Sequence, residues 1–334
     1  MSDFIPHVSW MRDIPDVAPV TTLNIPGTHN SCCIDGPVGL AETQNLDLSD
    51  QLDAGIRFLD IRLAHYHDDL FAHHDVVCTG KSYADVVTIC SEFLRRHPSE
   101  TILMSVKEES RFDSALGKFA PSQLFGKLSV GGAEIWGENT RSFEETFRSR
   151  TWEHVGNESL FYNFTAPSGS NSVATGPALT SETELGELRG KIVLLRRFEG
   201  GEDIGLDLTY WPENQRFRSA ASPFYDIEDR YQNPGEDNKF DFVIAHLEEA
   251  VRGDPKDLYI TFSSAVDLTA HGYAEAINPR LSDYLAGSPQ GRVGIIVMDY
   301  FEAPRELVSN VIKTNMTGAT VGHGRHSHDR RADG

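Results

Sequence analysis

Cysteine is scarce: Cys32, Cys33, Cys78 and Cys90 are the only four in 334 residues. That is too few for a disulfide framework in a chain this long, and no pair has the C-x-x-C spacing of a zinc or redox motif. Positive charge is scarce too. Thirty Lys and Arg against fifty Asp and Glu leave a formal charge of −20, which repels nucleic acid and anionic bilayers on average. No apolar run approaches the roughly 18 residues of a membrane span. The opening MSDFIPHVSW has no basic segment followed by an apolar one, so no signal peptide is read and a reducing cytoplasm is expected, with non-classical secretion left open. Only four tryptophans occur, where interfacial enzymes expose several large apolar groups, so membrane association is expected to be weak at most.

What is present is an alternation of short apolar runs with helical patterns. Strands are expected at 21–29, 57–64, 69–74, 101–107, 159–163, 191–197, 258–263 and 293–299. Several are nearly continuous apolar runs, as in strands buried on both faces. Helices are expected at 83–97, stopped by Pro98, and at 240–252, stopped by Gly253. This order argues for an α/β protein with a parallel sheet, open or closed into a barrel. Residues 108–157 and 165–189 are partly polar and Gly/Ser-rich, and read as loops and peripheral helices. One domain over 1–316 is expected, followed by a disordered tail over 317–334 that has almost no large apolar side chain.

Polar side chains gather where the strands finish: His29, Asp60 with Arg62, His73 and His74, Lys107, and Asp299. In a parallel barrel the C-terminal strand ends form one face, so such residues converge. Two histidines, an arginine and an aspartate suit phosphoryl transfer without a metal. The arginine stabilises charge on the phosphorus oxygens, one histidine takes a proton from the attacking hydroxyl, the other supplies one to the leaving oxygen, and the aspartate orients the base. A metal reading competes, because 60–75 (DIRLAHYHDDLFAHHD) is dense in His and Asp. Against it, Arg62 shares a strand face with Asp60, and Lys107 adds a second cation. No metal and no cofactor are therefore expected.

The blocks NIPGTHNSC (24–32), QLDAGIRFLDIRL (51–63), AHHD (72–75), SETILMSVKEE (99–109), RGKIVLLRRF (189–198), TYWPEN (209–214) and RVGIIVMDY (292–300) together resemble the bacterial-type, metal-independent phosphatidylinositol-specific phospholipase C family. The resemblance implies a distorted (β/α)8-type TIM barrel and a phosphorus–oxygen lyase reaction that yields a 1,2-cyclic inositol phosphate. It implies His29 as general base, His74 as general acid, Arg62 as the phosphate-binding cation and Asp299 as partner of the base. Asn30, Lys107, Arg197, Asp229 and Tyr231 are implied as substrate-binding residues, with Arg196 able to replace Arg197 by a one-residue shift. The implied partner is a phosphoinositide or a soluble inositol phosphodiester, acted on by a monomer.

Three positions depart from the family. Asn30 stands where its bacterial members usually carry Asp, Asp75 stands where Gly is expected, and Gly39 lies where a membrane-inserting Trp is expected. Trp136, in GGAEIWGEN, is expected to pack rather than insert. Two alternatives stay open on the residues alone: a metal-dependent glycerophosphodiester phosphodiesterase, and a catalytically silent barrel that binds inositol or phosphate.

Overall fold

The computed structural model describes residues 8–34, 42–74, 77–109, 129–130, 133–134, 139–155, 160–165, 177–219, 225–267, 269–287 and 291–317. The strands are β1 Ile25–Thr28, β2 Phe58–Tyr66, β3 Asp69–His74, β4 Val77–Ser82, β5 Ile102–Glu108, β6 Ser129–Val130, β7 Ala133–Glu134, β8 Phe161–Tyr162, β9 Ile192–Arg197, β10 Leu206–Asp207, β11 Arg216–Arg218, β12 Tyr225–Glu228, β13 Leu258–Phe262 and β14 Ile295–Met298. The helices are α1 Leu48–Asp53, α2 Tyr83–Arg96, α3 Phe143–Val155, α4 Leu185–Leu188, α5 Glu236–Arg252, α6 Ala270–Ala286 and α7 Leu307–Thr317.

Every strand expected from the sequence is present, and eight of the strands run parallel in the order β10-β9-β5-β2-β1-β14-β13-β12. β11 adds antiparallel at the far edge. The result is a curled, parallel-rich half-barrel whose ladder does not close among the described residues. β10 and β11 follow each other in the chain yet stand at opposite ends of the strand order, so residues 208–215 cross the opening. β14 and β13 are buried throughout, as the continuous apolar runs require of strands covered on both faces.

α2 shows how local sequence fixes an element. Ser82 accepts from the Asp85 amide while Asp85 accepts from the Ser82 amide, closing a capping box at its start. Tyr83, Val86, Val87, Cys90, Phe93 and Leu94 form its buried stripe, and Pro98 follows its end. Below the strands, Arg57 and Glu100 are fully buried and paired at 2.9 Å, just before β2 and β5. Each satisfies the other, and Arg57 also donates to the Leu52 and Ile56 carbonyls. This pair locks the N-terminal end of the two strands that carry Arg62 and Lys107 further along.

Two expectations change. The 69–74 strand is antiparallel to β2, because only His67 and Asp68, both at positive φ, separate the two in a tight turn. With Leu63 opposite Ala72, the hairpin brings the His74 backbone back beside the Arg62 end of β2. The helix α3 is also more than peripheral: Phe147 is completely buried against Tyr83 and Phe198, with ring centroids 4.8 and 5.1 Å apart. Gly39, Asp75, Trp136 and the tail over 318–334 lie outside the described residues.

Candidate active site

His29 directly follows β1, Arg62 lies on β2, Lys107 on β5, Arg197 ends β9, Asp229 follows β12 and Asp299 follows β14. Register aligns them. Arg62 pairs with Lys107 and Lys107 with Arg197, while Thr28 lies beside Met298, so the next residues, His29 and Asp299, are neighbours. All but Arg62 are at C-terminal strand ends, and Arg62, midway along the long β2, is level with them by its pairing to Lys107, on the face where parallel barrels build their sites.

His29 Nδ1 is 2.8 Å from Asp299 Oδ1. A carboxylate accepts, so Nδ1 carries the proton and the lone pair sits on Nε2. Arg62 donates to that Nε2 at 2.9 Å, and it approaches Asp60 at 3.4 Å and Glu109 at 3.5 Å. The imidazole is 18% exposed, so its free edge meets the opening. Phe262 stands edge-on to the ring, with centroids 6.1 Å apart. The ring's orientation is thus fixed, with Nε2 beside a permanent cation.

The dyad is also held through its backbone. Gln44 Nε2 donates at 2.9 Å to both the His29 and the Met298 carbonyl, clamping the ends of β1 and β14 together. Asn278 on α6 donates to the carbonyls of Asp299 and Tyr300.

Asp60 sits beneath the cations, fully buried, 3.4 Å from both Arg62 and Arg197. Burial pushes its carboxyl up, but Arg62, Arg197, His29 and the Asn30 amide more than reverse this, leaving it at about 2. The Arg62 guanidinium is held protonated in turn: burial opposes its charge, and Asp60 and Glu109 outweigh that. Asp229 and Asp299 behave oppositely. Burial raises both carboxyls, and nearby cations offset the rise only in part.

Arg197 stacks on Trp211, with the guanidinium 3.6 Å from the ring centroid, and Trp211 donates to Asp229 at 2.8 Å. This chain of contacts makes one wall. Arg196 turns the other way, donating to the Ile204 and Phe198 carbonyls, so of the two adjacent arginines Arg197 faces the cluster. Tyr231 donates to Glu213 at 2.6 Å, and the Asn214 side chain accepts from the Tyr231 and Gln232 amides. Lys107 lies 3.3 Å from Glu109.

Asn30 is only 2% exposed, has φ 43°, and neither polar atom of its side chain has a partner among the described residues. The amide is therefore enclosed beside the base rather than presented to the opening. His74 is placed by its backbone as described above.

Glu109, Trp211, Glu213 and Gln44 join the cluster without having been singled out from the sequence. Glu109 was within reach, being two residues past Lys107 and so on the same strand face. Among the described residues no three His, Cys, Asp or Glu side chains are grouped to hold a metal ion, and the position flanking Asp60 is taken by guanidinium groups.

No family model matches the chain. Individual proteins do. The 1-phosphatidylinositol phosphodiesterase of Staphylococcus aureus strain Newman is 27% identical over 330 residues, covering 92% of this chain and 94% of that protein. The protein of the same name from Listeria monocytogenes is 26% identical over 318 residues, covering 92% and 84%. A solved structure of a point mutant of the S. aureus phosphatidylinositol-specific phospholipase C superposes with a TM-score of 0.75 at 25% identity, covering 94% of this chain and 99% of that one. The chain is a homologue of the bacterial phosphatidylinositol-specific phospholipases C. Its half-barrel is the TIM-barrel-type fold of those phospholipases, and the similarity extends over nearly the whole chain rather than one segment of it.

Proposed function

We propose that this protein is a metal-independent phospholipase C-like phosphodiesterase, a phosphorus–oxygen lyase acting on phosphatidylinositol or a close inositol phosphodiester. The observation that carries the proposal is the His29–Asp299 pair at 2.8 Å with the Arg62 guanidinium 2.9 Å from the other ring nitrogen. It joins a base, its orienting carboxylate and a phosphate-sized cation at one point.

In the first step the inositol 2-hydroxyl displaces Arg62 from His29 Nε2 and gives its proton to that nitrogen. Its oxygen bonds to the adjacent phosphorus. Arg62, released, donates to the phosphorus oxygens as their charge grows. Asp299 stabilises the imidazolium that forms. The bond to the glycerol oxygen breaks, and His74, by the family resemblance, protonates that oxygen. Diacylglycerol or glycerol and a 1,2-cyclic inositol phosphate leave. Attack and leaving group belong to one molecule, so positioning and electrostatics supply the rate. Lys107, Arg197, Asp229 and Tyr231 line the side where the ring hydroxyls would lie, and the Trp211 stack keeps Arg197 from swinging away.

The homologues support phosphatidylinositol as substrate, and membrane binding is a property studied in the S. aureus enzyme. For this chain we propose a weaker lipid interface. Tyr210 and Val266, 69% and 37% exposed, are the large apolar groups the described residues offer near the opening, and the net charge is −20. A monomer located in the cytoplasm fits that reading.

The test is phosphorus NMR with phosphatidylinositol in short-chain micelles and, separately, with glycerophosphoinositol, both in excess EDTA. A cyclic-phosphate resonance that is lost in His29→Ala is the expected result. Turnover that needs an added divalent metal would overturn the histidine mechanism in favour of a glycerophosphodiesterase. No turnover of either substrate would favour a binding barrel.

A further inference from the structure

The first turn of α5 carries a lysine that the mechanism does not use. Lys239 is completely buried, at 0% exposure, in a helix whose other buried residues include Val243, His246, Leu247 and Ala250. A lysine is among the residues least often found fully inside, and it stays there only with compensation. Its Nζ donates to the Arg230 carbonyl at 2.7 Å. That carbonyl lies between Asp229 and Tyr231, so the ammonium anchors the backbone of two residues proposed to hold the inositol ring.

The charges around Lys239 come from two strand ends. Glu228 and Asp229 belong to the end of β12, with Arg230 after them, and Asp299 follows β14. Glu228 is spoken for, since Arg230 binds it through two guanidinium nitrogens. Asp229 and Asp299 are the carboxylates left to feel the lysine most usefully. Asp299 is buried and Asp229 half-buried, both carry negative charge at a cost, and each is favoured as a carboxylate by Lys239.

We propose that Lys239 is a positioning residue of this active site, an internal cation that anchors the Asp229–Tyr231 loop and supplies positive charge behind both Asp229 and Asp299. The inference rests on the lyase reading above. Asp299 orients His29 only as an acceptor, and Asp229 accepts from Trp211, so both need their negative charge at working pH. Arg62 and Arg197 face these groups from the substrate side and are drawn toward phosphate and sugar when a ligand arrives. Lys239 is on the protein side and does not leave. Burial lowers its ammonium to about 8, against the opposing pull of Glu228, Asp229 and Asp299, so the support is largely present at neutral pH and fades as pH rises through about 8.

The test uses Lys239→Met, which keeps length and loses charge, and Lys239→Arg, which keeps charge at all working pH. NMR of aspartate carboxyl carbons follows Asp229 and Asp299 directly, and kcat/KM is taken across pH. In Lys239→Met the two carboxyls are expected to titrate at higher pH, the acid limb of kcat/KM to move up by about one unit, and activity at the limb to fall about tenfold. Lys239→Arg is expected to restore the acid limb. A lysine that served packing alone would lower Tm in both variants and leave the carboxyl titrations unmoved, which would overturn the proposal. If Lys239→Met does not fold, lysine side-chain NMR of the unmodified protein decides. One buried lysine titrating near 8, with Asp229 and Asp299 carbons responding in step, supports the proposal, and its absence refutes it. Because the carboxyl and lysine titrations follow protonation rather than turnover, an enzyme found inactive on inositol lipids would refute the lyase reading without touching the titration result.

Discussion

Asn30→Gly is expected to make the protein more stable and less active at once. Asn30 occupies a left-handed backbone conformation, φ 43°, and buries an amide with two unpaired polar atoms. An unsatisfied buried polar atom costs about 1–3 kcal/mol, so the pair costs at least about 2 kcal/mol. Glycine suits the backbone without strain, but its freedom in the unfolded chain costs about 0.5–1 kcal/mol. The net gain is about 1–2 kcal/mol. Unfolding entropy of about 2 cal/mol/K per residue makes each kcal/mol worth roughly 1.5 °C in a chain this long, so Tm should rise by about 1.5–3 °C in a calorimetric or circular-dichroism melt. Over the same substitution kcat should fall at least about tenfold, because the backbone next to the base is released. A Tm that falls would show that the amide is satisfied in solution and would refute the accounting. A Tm that rises with kcat unchanged would remove Asn30 from the site.

Asp299→Asn keeps the shape but offers an amide that can leave His29 in the wrong tautomer, so kcat should fall by about 10²–10⁴ with KM nearly unchanged in steady-state assays. Asp60 is held at about 2 in the fold, against roughly 3.9 in an unfolded chain. It therefore contributes about 2–3 kcal/mol that is fully present above pH 4 and is lost as pH falls toward 2. Asp60→Asn should erase that part of the acid slope in denaturant titrations, and it should destabilise the neutral-pH fold by leaving Arg62 and Arg197 uncompensated. Arg197→Ala should raise KM about tenfold or more and lower Tm as well, because it takes a cation from the buried Asp60 carboxylate, whereas Arg196→Ala, which breaks bonds to the Phe198 and Ile204 carbonyls, should lower Tm and spare KM.

Sequence was most informative where one pattern had one cause. Buried parallel strands must be apolar on both faces, so TTLNIPGTH, TILMSVK, KIVLLRR and VGIIVMD could be read directly, and the polar residues ending them had one place to meet. Short edge strands were not legible. Leu206–Asp207 and Arg216–Arg218 carry two or three residues each, too few for a period to show. The direction of the 69–74 strand was hidden because alternation reveals faces, not orientation. Helices such as Ala270–Ala286, with Pro279 inside, went unread because proline normally argues for a break. In the candidate site, the strand-end side chains were legible, while the side chains that support them from behind were not. Gln44 and Lys239 work through backbone carbonyls, some of them far away in sequence, and no spacing rule announces such a contact.

The missing closure between β10 and β11 has a consequence for how this catalyst can change. Around most of its circumference, altering a residue disturbs a hydrogen-bonded ladder shared with two neighbours. Across residues 208–215 there is no ladder to disturb, yet that crossing supplies Tyr210, Trp211 and Glu213, three of the side chains nearest the ring-binding wall. Length and sequence there can change without breaking a strand pairing, provided Leu208 keeps its place in the core and Asn214 its hold on the Tyr231 backbone, while the pocket and the surface next to it are remade. This makes the crossing the natural graft point for a library that seeks new head groups: exchange that segment, keep the dyad and its cation, and select on product.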